Sequence, residues 1–144
     1  MRFMAIMKAT PQSEAGVMPG ERLLTEMGHF NEQLAKSGVL LAGEGLQPSS
    51  RGVRLRCEGG RRLVVDGPFA ESKELVAGFW LWQVHSKEEA VEWARRIPNP
   101  DGDDFEVELR QVFEAEDFGD AFTQEARAQE ARLRDGTTAK PDRA

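Results

Sequence analysis

Two periods of apolar residues run along the chain. In RFMAIMK, residues 2–8, Phe3, Ala5 and Met7 alternate with Met4 and Ile6, so apolar groups occupy both parities and predict a strand covered on both faces. Beyond a loop punctuated by Pro11, Gly16 and Pro19-Gly20, the period changes. Leu23, Met27, Phe30 and Leu34 form the stripe of an amphipathic helix, which Gly38 stops. VLLAGEGL, 39–46, predicts a second buried strand, and the segment 52–65 predicts a hairpin whose Gly59-Gly60 supplies positive φ at a tight turn. AGFWLWQV, 77–84, repeats the two-sided strand pattern. Ser86 and Glu89 then form a capping box for a helix carrying Ala90, Trp93, Ala94 and Ile97, which Pro98 ends. FEVELRQV, 105–112, sets Phe105, Val107 and Leu109 against Glu106, Glu108 and Arg110, the signature of a half-exposed edge strand.

The resulting order is β-α-β, an inserted hairpin, then β-α-β, an α+β arrangement of the split βαβ or ferredoxin-like kind. Two helices cover one face of a four-stranded sheet. The other apolar face then needs a second layer, and a homodimer packed sheet to sheet supplies it. A C-terminal helix folded over that face is the competing solution. Residues 118–135 predict such a helix, but its stripe of Phe118, Phe122, Ala126 and Leu133 is too thin for a core element. We therefore divide the chain into a domain over 1–117 and a helical extension with a frayed tail over 118–144.

Composition narrows the function classes. A net charge of −6, from 19 Lys and Arg against 25 Asp and Glu, opposes general attraction to nucleic acid or to an anionic membrane. Cys57 is the single cysteine, so no intrachain disulfide forms, and the opening residues carry no signal-peptide pattern; a cytoplasmic protein is expected. Two histidines and one cysteine, far apart, give transition-metal ligation little support, and neither a P-loop nor a GxGxxG fingerprint occurs. No cofactor is expected.

Candidate chemistry gathers around Asp66-Gly67-Pro68-Phe69. In the inferred strand order, the ends of the first two core strands meet the chain entering the third, which places Lys8, Glu44 and Asp66 to Glu74 at one end of the sheet. Lys8 shares the parity of Met4 and Ile6, so its stem lies on apolar surface with the ammonium at the rim. One reading makes Asp66 a general base and Lys8 an electrostatic stabiliser of developing anionic charge. Glu44, Phe69, Lys73 and Arg54 are then the ligand contacts, Phe69 serving as an apolar wall. The plainer reading makes Asp66 a turn former, Phe69 a core plug, Lys8 and Glu44 an ion pair, Lys73 part of a solvated helical turn and Arg54 a residue on the wet face of a basic hairpin.

With these elements placed, GVLLAGEGLQPSSRGVRLR (38–56), VVDGPFAESKELVAGFWLWQV (64–84), EEAVEWARRIPNP (88–100) and FEVELRQVFEAEDFG (105–119) together resemble the YCII-related family, specifically its DGPF-motif branch. The resemblance implies a ferredoxin-like subunit that forms a dimeric α+β barrel. It also implies an activity that is mostly unassigned, among superfamily relatives that include isomerases, lyases and monooxygenases working in a cleft beside the sheet. YciI-like members carry a His in the first helix, proposed to act with an Asp. That place falls near Met27 here, and His29 lies on another helical face. Some relatives resemble proteins found with extracytoplasmic-function sigma factors. Two functions are thus expected to compete: a cofactor-free enzyme or binder of a small polar or enolisable organic molecule, working by isomerase- or lyase-type proton transfer, and a non-catalytic module with a protein partner.

Overall fold

The segment VAGFWLWQ becomes the spine of the sheet. In the computed structural model, which describes residues 1–71 and 74–138, it forms strand β5 (Val76–Gln83), hydrogen-bonded on one side to β1 (Arg2–Lys8) and on the other to β2 (Leu40–Gly45). Strand β6 (Val107–Gln111) pairs with the free side of β1, so the order is β2-β5-β1-β6 with every pairing antiparallel. Helices α2 (Glu21–Lys36) and α3 (Lys87–Ala94) complete an α+β fold.

Cross-strand partners share a sheet face, so the register decides what is buried. Phe3 opposes Trp82 and Ala5 opposes Trp80, and these four are buried with Phe30 and Leu34 of α2 and Ala90 and Trp93 of α3. Phe30 meets Trp80 edge-on at 5.8 Å and Trp93 at 6.3 Å, the edge-to-face geometry that aromatic quadrupoles favour. The opposite face, away from α2 and α3, holds Met4 against Leu81 and Ile6 against Phe79, all half-buried. The two-sided pattern read from the sequence is therefore present, and α2 and α3 bury one side of it. β2 differs from the expected buried strand. It is mostly exposed, because as an edge strand it has a neighbour on one side and little cover above.

Three local details differ from the sequence expectation. The stretch after β1 contains a one-turn helix, α1 (Pro11–Glu14), because Thr10 and Ser13 form a reciprocal cap with Pro11 at its first position. At α3, Ser86 Oγ accepts from the Glu89 amide at 3.1 Å, whereas the Glu89 carboxylate reaches past Ser86 to the His85 amide. The expected single helix over 118–135 is broken. A 3-10 stretch (Ala115–Ala121) contains Gly119 at φ 64°, and α4 (Gln124–Thr138) begins only after Thr123, whose hydroxyl accepts from the Ala126 amide. The chain divides into two compact units, Met1–Val112 and Phe113–Ala144.

The hairpin forms as its turn demands. Strands β3 (Val53–Glu58) and β4 (Arg61–Asp66) pair in a separate two-stranded sheet, with Gly59 and Gly60 at φ 56° and 76°.

The two central indoles differ in one respect. Trp80 Nε1 donates to Asn31 Oδ1 at 2.9 Å, while Trp82, fully buried, has no acceptor for its Nε1 among the described residues. An unmet buried donor costs about 1–3 kcal/mol. Trp80→Phe is therefore expected to destabilise the protein by about 1 kcal/mol more than Trp82→Phe. Urea unfolding midpoints at constant m-value measure the difference.

Candidate functional site

At the end of the sheet where β1 and β2 finish, the chain opens into a cleft of about 1370 Å³. Its wall comes from α2 through Leu23, Met27 and Asn31, its edge from Gly43 to Leu46 of β2 and beyond, and its rim from α1 and the 98–105 loop. Trp80 lines it from β5. Gly43 lies opposite Trp80 in the register, and a Cβ there would sit 2.8 Å from Trp80 Cδ1. Glycine is what lets the strand lie flat on the indole.

Polar and charged groups line the cleft among the apolar ones, Lys8, Asn31 and Glu44 at the sheet end and Asp101, Asp103 and Asp104 on the 98–105 loop. Lys8 is the more buried cation, its side chain 17% exposed and its Nζ 3.9 Å from a Glu108 carboxylate oxygen. Glu44 is exposed at the β2 edge. Asn31 is oriented by its neighbour: an indole N–H can only donate, so Oδ1 faces Trp80 and the NH2 group is left with no protein acceptor among the described residues. A cation, a carboxylate and an aligned amide donor beside Met7, Met27 and Trp80 make a site suited to an organic ligand with a polar, electron-rich end. Among the described residues, no group of three His, Cys, Asp or Glu side chains could hold a metal ion.

The Asp66-Gly67-Pro68-Phe69 corner is built separately. Ser49 sits at its centre: its amide and hydroxyl donate to the two Glu14 carboxylate oxygens at 3.1 and 2.5 Å, and its Oγ accepts from the Phe69 amide at 3.1 Å. Gly67 donates to the Gly52 carbonyl at 2.9 Å and packs so closely that a Cβ would fall 1.7 Å from the Ser49 carbonyl oxygen. The Arg54 guanidinium lies 3.9 Å from the centre of the Phe69 ring. These contacts tie α1, the 49–51 turn and both ends of the hairpin into one knot.

A family model for the YCII-related domain matches residues 1–116. The chain belongs to the YCII-related family. An uncharacterized protein of Rhizobium meliloti (strain 1021) is 32% identical over 92 residues, covering 64% of this chain and 74% of that protein. Among solved structures, the chain is similar to 5-chloro-2-hydroxyhydroquinone dehydrochlorinase from Burkholderia phenoliruptrix AC1100, in complex with 2,5-dihydroxybenzoquinone. The likeness has a TM-score of 0.41 and 13% identity, over 78% of this chain and 94% of that one. No helix among the described residues of this YCII-related chain is long and apolar enough to cross a membrane.

The structure thus brings two of the residues singled out from sequence, Lys8 and Glu44, to one cleft. Asp66, Phe69 and Arg54 do not line it; they stand at the hairpin base, Asp66 exposed opposite Val53. Lys73 lies outside the described residues. The ion pair of Lys8 is with Glu108 of β6 and not with Glu44, because β6 is the direct neighbour of β1 whereas β5 stands between β1 and β2. His29 is exposed and lies apart from the cleft, whereas Met27, near the place of the His in YciI-like members, is in its wall. Asn31 and Ser49 escaped the sequence reading. A signal for Asn31 was present: a polar residue four positions after Met27 and three before Leu34, on the apolar stripe itself.

Two stability measurements separate the corner from the cleft. Ser49→Ala is expected to cost about 1–2 kcal/mol, leaving the Phe69 amide without its acceptor and the Glu14 carboxylate with the backbone amide but without the hydroxyl donor. Hydrogen exchange at the Phe69 amide should accelerate in step. Gly67→Ala is expected to cost about 3 kcal/mol or more, since the obstructing atom is backbone and cannot swing aside; chemical denaturation reads it directly.

Proposed function

We propose that this YCII-related protein binds, and acts on, a small organic molecule carrying an anionic or enolisable carbonyl group, without a cofactor, in the cleft at the end of the sheet. The observation that supports the proposal is that Lys8, Asn31 and Glu44 line one cavity at the sheet end together with Met7, Met27 and Trp80, Glu44 from the sheet face of Ile6 and Phe79 and Asn31 from that of Trp80. Lys8 and the Asn31 amide stabilise negative charge on a ligand oxygen, and Glu44 takes the proton-transfer role that Asp66 had from sequence alone. Asp66, Phe69 and Arg54 act at the corner and not on the ligand. The reaction class is isomerase- or lyase-type proton transfer.

The finer family assignment, to the DGPF-motif branch, rests on Asp66-Gly67-Pro68-Phe69 and belongs to the same proposal. So does the quaternary state. The sheet face away from α2 and α3 carries Met4, Ile6, Phe79 and Leu81, half-buried, and a sheet-to-sheet homodimer of ferredoxin-like subunits, a dimeric α+β barrel, would remove that surface from water. A cytoplasmic location is proposed on the single exposed cysteine and the net charge of −6.

A non-catalytic partner module is the second reading, favoured by one observation in the C-terminal unit. Phe113, Phe118 and Phe122 form a run of ring contacts at 5.2 and 5.6 Å, with Phe113 and Phe118 exposed. Such aromatic surface is typical of contact sites. A pull-down with and without residues 113–144 discriminates: a specific protein held only by the full chain supports the module.

The enzyme reading is tested by a thermal-shift screen of small carboxylic and keto acids. For any acid that stabilises the parent, Lys8→Met and Asn31→Ala are each expected to raise Kd about tenfold or more, equivalent to about 1.4 kcal/mol. Asp66→Asn should leave Kd within twofold. Loss of binding in Asp66→Asn with retention in Lys8→Met would place the ligand at the corner and sink the proposal.

A further inference from the structure

Along α2, Leu23, Met27 and Asn31 follow one another at the four-residue interval of a single helix face, and all three line the cleft. Leu23 and Met27 are apolar and Asn31 is not. Asparagine is a poor choice inside a helix, because its short side chain competes for the backbone. Nor does this core demand an acceptor for every indole. Trp82 is more deeply buried than Trp80 and has none among the described residues. An amide at position 31 therefore does something that folding alone does not ask for.

Three residues set its orientation in turn. Gly43 lies opposite Trp80, and a Cβ there would press on the indole edge that carries the N–H, 2.8 Å from Cδ1 and 3.3 Å from Nε1. The indole so seated donates to Asn31 Oδ1 at 2.9 Å. Turning the amide over would set its NH2 against the indole N–H, two donors with no acceptor between them. Asn31 is half-buried at the cleft, and the group it has left to offer is the NH2. Net charge does not make the same choice. Carboxylates outnumber cations in the lining, Glu44 and the aspartates of the 98–105 loop against Lys8 and Arg51. What favours an acceptor at this wall is the polarity of the group it touches.

We propose that Gly43, Trp80 and Asn31 form a polarity filter. Trp80 is a positioning residue that keeps the Asn31 NH2 toward the cleft, so the site selects a ligand presenting a carbonyl or carboxylate oxygen and rejects one presenting only N–H donors, which would leave donors facing donors. The inference rests on the reading of the cleft as a ligand site and adds how that site discriminates.

The test uses the full chain, labelled with 15N, and two probes of one shape and opposite polarity: benzoate, which only accepts, and benzamidine, whose amidinium only donates. NMR titration gives the dissociation constants. Benzoate is expected to move the Asn31 side-chain amide resonances of the parent, and its Kd to rise in Lys8→Met. If neither probe binds at millimolar concentration, the cleft is not the ligand site and the filter falls with it. In Trp80→Phe the amide is free to turn its oxygen to the cleft, so benzamidine is expected to bind about fivefold tighter and benzoate no tighter. A gain for one probe is not what a loosened core produces. Trp82→Phe, which removes an N–H from the same core, should leave the ratio of the two constants within about twofold, and in an Asn31→Leu background Trp80→Phe should no longer change it. An unchanged ratio in Trp80→Phe, with benzoate still sensitive to Lys8→Met, would overturn the filter and leave the ligand site standing. Should Trp80→Phe fail to fold, Gly43→Ala decides in its place: the ratio moves in the same direction, or the filter is wrong.

Discussion

One strand dictates the rest of this molecule. β5 carries Trp80 and Trp82 on a single face, and both must lie in a dry layer of close-packed rings. Phe30 and Trp93 reach that layer from different helices, so α2 and α3 are pinned to the same side of the sheet by the same aromatic cluster. Truncating any one of these rings would remove about 3–5 kcal/mol, a large part of the stability of a domain this size. The consequence is asymmetry. With both helices committed to one face, the alternate residues of the same strands are left on a face that α2 and α3 do not cover.

The cleft follows from that asymmetry. α2 ends its packing on Trp80 through Asn31, and the strand opposite, β2, stays close only because Gly43 has no side chain to push the indole away. Where α2 diverges from the sheet end, the gap is filled neither by helix nor by strand. Lys8 stands at that gap because β1 runs out there, and its partner Glu108 comes from the neighbouring edge strand. A cleft that sets Lys8 and the aspartates of the 98–105 loop beside Met7, Met27 and Trp80 is a natural place for a ligand that is part apolar and part charged.

The Asp66-Gly67-Pro68-Phe69 corner has a different logic. Its residues look reactive as a string, but their contacts are inward: Gly67 to the Ser49 and Gly52 carbonyls, the Phe69 amide to a hydroxyl, the Phe69 ring to Arg54. A corner with contacts of this density fixes the direction of the hairpin that precedes it. Family membership is consistent with either a structural or a functional reason for such a corner; the geometry supplies the structural one.

Elements and their faces were legible in the sequence because they depend on near neighbours. The alternation in β1 and β5, the Leu23-Met27-Phe30-Leu34 stripe, the Gly59-Gly60 turn and the Ser86 cap are each set by residues a few positions apart, through backbone sterics and side-chain period. The strand order β2-β5-β1-β6 is the one that the repeated β-α-β succession implies for a split βαβ fold. What escaped were relations between distant residues. That Lys8 would meet Glu108, that Asn31 would hold Trp80, and that Ser49 would occupy the heart of the DGPF corner depend on registers and approach distances that no local period encodes. The break at Gly119 was missed for a related reason: helix propensity over 118–135 is continuous, and only the positive φ adopted in the folded chain interrupts it. Sequence therefore determined which surfaces are apolar, and tertiary structure decided which of them are covered, because covering is a contest for space among elements that are far apart along the chain.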